Sequence, residues 1–313
     1  MKLQRTILSL ALSIGALVLI LGAVPAQAAV ITSGPYSVNI SPVGGLEPGG
    51  PGLVFRRLAD GYDPILPGTP REAWGVSAGG FAGFADPSGA GVSGLVINSA
   101  AFGVSTANTS TFLNNGSNLL RIDQAFSFAA SNVLKVETTI TNVSGASQAV
   151  LYTRHVDWDI VPTEFAEIIN TDPFSSPVVA ASFFGFENPS PLVPFSFNAP
   201  STGGGPFGPA DNGGAFRLNL GTLAAGASTS FNVFHALSLF GQSHTGLESQ
   251  LVGLGANFVI TGHNSGAEEV NSAALAFGPS AAAVPEPTTF SMFGLAALGL
   301  GCARLGRRRR KAA

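Results

Sequence analysis

The chain has 313 residues, and its charge is spread unevenly: the net charge is −3 overall, whereas residues 29–283, with seven basic and seventeen acidic side chains, carry −10. This acidity excludes the basic surface that nucleic-acid binding requires, so no nucleic-acid partner is expected. The single cysteine is Cys302, which excludes disulfides, thiol chemistry and cysteine-based metal sites from residues 29–283. A segment of this length can bury an apolar core without covalent cross-links.

The beginning of the chain predicts a secretory signal peptide over residues 1–28 and entry into the Sec export machinery. A basic start, an apolar run and a small-residue cleavage site follow one another: Lys2 and Arg5, then residues 7–24, then Ala26 and Ala28 before Ala29. An uncleaved membrane helix is the alternative, because the apolar run has 18 residues.

Residues 29–283 predict a mainly β body, a large antiparallel β-sandwich with one short helix, flanked by the N-terminal signal helix and a C-terminal apolar helix. The clearest strand is 133–142, where Leu134, Val136, Thr138 and Ile140 alternate with Lys135, Glu137, Thr139 and Thr141. Further strands are expected at 36–40, 53–57, 94–103, 119–128, 149–160 and 258–261, the last of these being the final strand. Turn residues separate several of them, at 114–116 and 144–145.

Three later segments complete the predicted body. Residues 171–214 are rich in Pro, Gly and Phe, which favours loops and short edge strands packed by phenylalanine. Residues 215–220 and 228–239 look like a hairpin around residues 224–227. Residues 245–255 predict the one helix, because leucines recur at i, i+4 and i+7, at positions 247, 251 and 254.

Two short glycine motifs are common by chance in a chain this rich in glycine. Residues 75–79 match GxSxG, the nucleophile elbow of α/β-hydrolases, which needs a strand before the serine and a helix after it. Arg71-Glu72-Ala73 makes a poor central strand, and Gly79-Gly80 a poor helix start, so a serine hydrolase is not favoured. Residues 89–94 match GxGxxG but precede β-type sequence, which indicates a turn.

The segment 154–159 carries the most informative side chains of the body. In an extended strand, Thr153, His155, Asp157 and Asp159 share one face, and Tyr152, Arg154, Val156 and Trp158 share the other. Asp157 and Asp159, with Glu164 in the following loop, form a candidate cation site of hard oxygen ligands, for which Ca²⁺ is the expected ion. Two such carboxylates could also act as acid and base in glycoside hydrolysis. The structural alternative is that both aspartates face solvent or pair with Arg154 and Arg121 while Trp158 fills the core.

Other polar and aromatic residues give weaker signals. The histidines at 235, 244 and 263 lack the HxxxH or HExxH spacing of a zinc site. Glu268-Glu269 is interpreted as a solvated pair. Trp74, Tyr62 and those phenylalanines that reach the surface are candidates for a sugar-stacking platform, although such aromatics are more often core residues.

The last thirty residues, 284–313, combine three features in a fixed order. A proline-flanked motif is followed by an uncharged apolar run, residues 288–303, and then by a basic cluster that would keep the far end cytoplasmic. The residues of the motif are Val284, Pro285, Glu286 and Pro287, and those of the cluster are Arg304, Arg307, Arg308, Arg309, Arg310 and Lys311. An ordinary C-terminal membrane anchor is the alternative interpretation.

This tail resembles the PEP-CTERM sorting signal of Gram-negative bacteria, a motif also known as an ice-binding-protein C-terminal domain without implying that ice is bound. The resemblance implies recognition by an exosortase, a transient stay in the inner membrane, cleavage near Pro285-Glu286-Pro287, and delivery to the envelope surface or extracellular matrix. The body resembles other PEP-CTERM cargo of unassigned function through residues 72–77, 154–163 and 211–223. That second resemblance implies a β-sandwich and supplies no catalytic residues.

We therefore expect an exported, non-catalytic surface or matrix protein, with no cofactor unless Ca²⁺ binds, that contacts exopolysaccharide or other matrix components. A secreted carbohydrate-active enzyme and a Ca²⁺-dependent glycan-binding module are the alternatives.

Overall fold

The computed structural model describes residues 28–47, 54–87 and 89–280. The predicted signal helix, the C-terminal apolar helix, the sorting motif and the basic cluster lie outside these residues. Among the residues that are described, no helix is both long and apolar enough to cross a membrane. By its internal contacts the chain divides into Met1–Pro279 and Ser280–Ala313, and all the elements given below belong to the first unit.

The described part of the chain is mainly β, as predicted, with a single α-helix. The strands, in chain order, are β1 (Ala29–Ser33), β2 (Tyr36–Ile40), β3 (Phe55–Arg57), β4 (Glu72–Ala78), β5 (Phe81–Asp86), β6 (Gly91–Ser93), β7 (Leu95–Phe102), β8 (Thr106–Asn114), β9 (Asn118–Ala130), β10 (Val133–Asn142), β11 (Gln148–Asp157), β12 (Glu167–Thr171), β13 (Val178–Ser182), β14 (Gly204–Ala210), β15 (Gly213–Leu223), β16 (Ser228–Leu237), β17 (Phe258–Asn264) and β18 (Ser272–Pro279). The helix, α1, is His244–Gly253 and lies between β16 and β17.

The strands form three antiparallel sheets. The largest has nine strands in the order β14-β12-β17-β18-β16-β10-β9-β8-β7, the second has six in the order β13-β15-β11-β4-β5-β6, and the third is β1-β2-β3. Aromatic rings join the two larger sheets, since Tyr152 on β11 meets Phe231 on β16, and Phe216 on β15 meets Phe258 on β17. These contacts make the body a sandwich, with its core between the two large sheets.

Strand β10 shows how the sequence pattern produces this packing. Leu134, Val136, Thr138 and Ile140 are buried, while the alternate residues from Lys135 to Thr141 are only half-buried. Successive side chains of a strand point to opposite faces, so the apolar set enters the core and the polar set forms the outer face of the nine-stranded sheet. The predicted bounds and faces of this strand are confirmed.

The small third sheet and the segment that follows its strand β2 contact the sandwich interior. Phe55 on β3 packs edge-on against Phe128 on β9. After β2, the amide of Leu46 donates to a carboxylate oxygen of Glu72 at 2.8 Å, and the indole of Trp74 donates to the carbonyl of Val43 at 3.1 Å. Residues 41–47 therefore pack against the core.

Two predicted features of the strand order are wrong. Strands β15 and β16 do not form a hairpin, because β15 pairs with β11 and β13 whereas β16 pairs with β10 and β18. The turn at residues 224–227 instead carries the chain from one layer to the other, and Asn142 holds it by donating to the carbonyl of Leu223 at 2.8 Å. Nor is β17 the final strand, since β18 follows it and lies inside the nine-stranded sheet.

The expectation for Arg71-Glu72-Ala73 is also wrong. Strand β4 is internal, between β11 and β5, and every one of its residues is buried. A charged residue is tolerated there because Glu72 forms an ion pair with Arg154 on the neighbouring strand.

The Phe-rich region and the helix are placed as predicted. Strand β13 is an edge strand of the six-stranded sheet, and β14 is an edge strand of the nine-stranded sheet. Phe183, which follows β13, stacks on Phe207 of β14 with ring centroids 4.6 Å apart. Helix α1 buries Leu247 and Leu251 against apolar residues of β16, β17 and β18 on the outer face of the nine-stranded sheet.

Candidate functional site

Strand β11 brings the candidate carboxylates to one end of the sandwich. It is paired on both sides, with β4 and β15, and it ends at Asp157 rather than continuing to residue 160. Backbone hydrogen bonds hold the chain at this end of the strand. The amide of Asp157 donates to the carbonyl of Arg71 at 2.9 Å, and the amide of Asp159 donates to the carbonyl of Pro64 at 2.6 Å. The loop before β4 therefore encloses the end of β11.

The two faces of β11 are both covered. Tyr152 and Arg154 point between the sheets, as the alternation predicts. On the other face, Thr153 donates to the carbonyl of Pro189 at 2.7 Å, and His155 packs edge-on against Phe195. Burial lowers the pKa of His155 to about 3, so its imidazole is neutral at ordinary pH.

Asp157 and Asp159 are 2% and 1% exposed, so the expectation that they face solvent is wrong. In the described part of the chain neither forms an ion pair: Arg154 pairs with Glu72, and Arg121 pairs with Asp123. Trp158 between them is core, as expected.

Three of the four carboxylate oxygens of this pair are unusual for buried polar atoms. Oδ1 of Asp157 and both oxygens of Asp159 have no hydrogen-bond partner among the described residues. Burial, with the nearby negative charges of Asp159 and Asp211, raises the pKa of Asp157 to about 9. Burial, with the charges of Glu167 and Asp211, raises the pKa of Asp159 to about 7. A buried carboxylate without donors is costly, so these side chains either hold protons or neutralise a bound cation.

Glu167, the first residue of β12, organises the surrounding loops. Its carboxylate accepts the amides of Ile160 at 2.9 Å, Phe165 at 3.0 Å and Asn212 at 3.2 Å. Phe165 has a φ of 66°, a left-handed conformation that costs a residue with a side chain about 1–2 kcal/mol. The hydrogen bond to Glu167 holds this strained turn beside the aspartates.

Glycines let the loops approach the aspartates closely. A Cβ at Gly185 would lie 2.6 Å from Oδ1 of Asp157, and a Cβ at Gly68 would lie 3.2 Å from Oδ2 of Asp159. Any larger residue at Gly185 would displace the carboxylate or the loop.

The charge of Glu164 contributes to the raised pKa of Asp159, but Asp157, Asp159 and Glu164 do not form a set of three ligand atoms within 4.8 Å of one another. Three potential ligand atoms within 4.8 Å of one another occur, among the described residues, at a different place: His244, His263 and Glu269. Sequence reasoning missed this cluster because its members are 19 and 6 residues apart and match no metal-binding spacing. The interpretation of Glu269 as a solvated residue is wrong, since it contacts His244.

The remaining motifs are now accounted for. Ser77 is buried on β4, and residues 79–80 turn directly into β5, so the helix of a nucleophile elbow is missing from this described segment. The GxGxxG match is a turn leading into the short strand β6, as predicted. Trp74 and Tyr62 are 0% and 4% exposed, so neither provides a sugar-stacking platform.

The outer face of the nine-stranded sheet carries a row of polar side chains. Adjacent residues across β8, β9, β10 and β16 form a row: Ser110, Asp123, Thr139 and Ser230. Ser110 donates to Asp123 at 2.6 Å, and the hydroxyls of Thr139 and Ser230 are 2.8 Å apart. A shallow groove lies over Ser110, Asp123 and Thr139 of this row and is also lined by Ser99, Asn108 and Glu137.

Comparison with known proteins identifies the carboxyl-terminal segment. Residues 283–310 match the family model of the PEP-CTERM protein-sorting motif. No curated protein matches the chain. The protein is thus a β-sandwich carrying a sorting signal. A motif of this kind supports sorting to the cell surface or exterior and implies an exosortase as the processing partner.

Proposed function

We propose that the body is a non-catalytic module that contacts the exopolysaccharide of the surface to which the sorting signal delivers it. The observation that carries the proposal is the polar outer face of the nine-stranded sheet. Its hydroxyls and carboxylates are held in register by the strands, so they can be matched by the repeated hydroxyl groups of a polysaccharide.

The row of Ser110, Asp123, Thr139 and Ser230 already forms hydrogen bonds within itself, which fixes the side chains before a ligand arrives. Preorganised groups lose less conformational entropy on binding. Asp123 and Glu137 remain partly exposed, with 38% and 45% of their side-chain surface accessible. Each contact to one sugar is weak, but a polymer presents many copies and gains by multivalency.

The test is retention of the full chain, in mild detergent, on exopolysaccharide from the native host. The double change Asp123→Asn with Glu137→Gln removes two charges from the groove while keeping its shape, and we expect retention to fall about tenfold. Glu268→Gln, at an exposed carboxylate outside the groove, is the matched control and should bind normally. Unchanged retention of the double variant would remove the outer face from consideration.

A second candidate is a Ca²⁺-dependent glycan-binding module, favoured by the unpartnered oxygens of Asp157 and Asp159. A Ca²⁺ ion would provide the positively charged partner that these oxygens lack, and the remaining ligands would come from backbone carbonyls and water. If it binds there, millimolar Ca²⁺ should raise the thermal midpoint at pH 8 in the wild type but not in Asp159→Asn. Retention that survives a chelator would argue against a role for Ca²⁺ in glycan contact.

A carbohydrate-active enzyme using Asp157, Asp159 or Glu164 is less well supported. Both aspartates are almost completely buried, so a sugar ring would have to displace the enclosing loops to reach them. Reducing-sugar release from the native polysaccharide that is lost in Asp157→Asn would favour the enzyme over the binding module.

A further inference from the structure

We propose that His244, His263 and Glu269 form a binding site for a divalent transition metal of the type that imidazole prefers, with Zn²⁺ as the reference ion. The site is separate from the buried aspartates and from the polar outer groove, and it does not depend on the function proposed above.

The fold brings these residues together from three different segments. His244 is the first residue of α1, His263 is on β17, and Glu269 belongs to the connection from β17 to β18. Helix α1 is fixed over these strands because Leu247 and Leu251 pack against the apolar residues of the sheet beneath. The helix start is thereby held above β17.

The geometry suits a three-residue ligand set. The two imidazole rings are stacked with centroids 4.4 Å apart and planes 11° apart. Nδ1 of His244 donates to Oε2 of Glu269 at 2.9 Å, and each of the three residues offers a ligand atom within 4.8 Å of the others. Tetrahedral zinc needs its ligand atoms closer than this and converging on one point, so the two rings would have to rotate out of their stacked arrangement to complete the set.

The hydrogen bond that His263 forms also favours a metal. Nδ1 of His263 donates to the carbonyl of Asn264 at 3.0 Å, so in the neutral ring Nε2 carries the free electron pair. A carbonyl contact of this kind is the usual way in which a protein orients a metal-binding histidine.

The site is open to solvent, with 22% of the His244 side chain and 21% of the Glu269 side chain accessible. Two imidazoles and one carboxylate leave a coordination position for water or another ligand. The donor set also separates this site from a calcium site, since Ca²⁺ prefers oxygen ligands throughout.

The competing explanation is that Glu269 serves only as an anchor for the helix. Its Oε1 accepts the backbone amide of His244 at the start of α1, an arrangement that stabilises a helix without any metal. The two explanations differ in what they require of His263, which has no part in that contact.

The experiment is equilibrium dialysis of the full chain in mild detergent against Zn²⁺, after removal of metals with a chelator. We expect one Zn²⁺ per chain at this site, about a hundredfold weaker binding in His263→Ala, and at least about tenfold weaker binding in Glu269→Gln. Glu268→Gln is the matched control for Glu269→Gln, because it changes the adjacent exposed carboxylate. Co²⁺ in place of Zn²⁺ should give a visible absorption band that is lost in His244→Ala with His263→Ala.

His263→Ala keeps the contact between Glu269 and the helix, so it tests the metal site even where Glu269→Gln destabilises the helix. Circular dichroism of each metal-free variant checks that the fold is retained. Saturating Zn²⁺ should raise the thermal midpoint of the wild type by about 5 °C and leave the double histidine variant unchanged. Equal Zn²⁺ affinity in the wild type and the double variant would overturn the proposal.

Discussion

Arg154 on β11 and Glu72 on β4 form an ion pair that is enclosed between the two large sheets, with neither side chain exposed to solvent. Glu72 also accepts the amide of Leu46, and Arg154 donates to the hydroxyl of Tyr152 at 3.2 Å. Such a pair is costly to desolvate, and removing one of its two charged groups leaves the other uncompensated in the core.

Glu72→Gln should therefore lower the free energy of unfolding by about 3–5 kcal/mol, because Arg154 loses the charge that balances it. Urea unfolding of the full chain measures this. Arg121→Gln removes one partner of the half-exposed pair with Asp123 and should cost less than about 1 kcal/mol. Glu72→Leu with Arg154→Met should recover much of the loss, and a Glu72→Gln cost as small as that of Arg121→Gln would contradict the role of the pair.

The buried aspartates predict an unusual dependence of stability on pH. The pKa of Asp157 is raised from 3.8 to about 9, and that of Asp159 is raised from 3.8 to about 7. At a pH above 3.8 and below the raised value, each aspartate therefore holds more protons in the folded chain than in the unfolded chain. The free energy of unfolding should consequently fall as pH rises from 5 to 8, by at most about 1.4 kcal/mol per pH unit for each group.

Asp157→Asn removes one of these titrations and should stabilise the protein at pH 8 while flattening the pH profile. Asp60→Asn is the control, because hydrogen bonding to Arg57 lowers the pKa of Asp60 from its ordinary value of 3.8. Asp60 is therefore ionised in both states over this range, and its substitution should lower stability equally at every pH. Chemical unfolding at pH 5, 6, 7 and 8 in the presence of a chelator distinguishes the variants. A profile that rises toward pH 8 in the wild type would be inconsistent with protonated aspartates.

Gly75, the first glycine of the GxSxG match, packs so closely against a neighbouring loop that adding a methyl group should destabilise the fold. A Cβ at Gly75 would overlap the carbonyl oxygen of Pro189, which belongs to the loop covering β11. Gly75→Ala should lower the free energy of unfolding by about 1–3 kcal/mol, since that backbone must shift. Gly145→Ala, where no atom lies within 4 Å of the added carbon, should have little effect in the same thermal and urea measurements.

The sorting signal predicts that a change in its motif alters the processing and the location of the protein. Replacing Pro285, Glu286 and Pro287 with alanine removes the motif within the matched residues 283–310 but leaves the apolar run and basic cluster intact. The altered chain should remain with the membrane fraction at its uncut size, whereas the wild type should be shortened and reach the surface or medium. Immunoblotting of fractions from the native host measures both, with Thr288→Ser as the control. Normal release of the alanine variant would mean that the motif does not direct processing.

The sequence alone determined the features that depend on neighbouring residues. Alternation of apolar and polar side chains was sufficient to define β10 and its two faces, and the leucine spacing defined α1, because both patterns report local geometry. The carboxyl-terminal motif likewise lies in one continuous stretch, so its assignment needed no fold.

Tertiary structure decided what depends on residues far apart in the chain. The same alternation fits a hairpin or a crossing between layers, so the separation of β15 from β16 followed only from their pairing partners. Asp157 and Asp159 look like solvent-exposed strand residues until the loops at 58–71 and 183–198 cover them. His244, His263 and Glu269 have no sequence signature, because a helix packed across a sheet, and not the spacing of the residues, places them together.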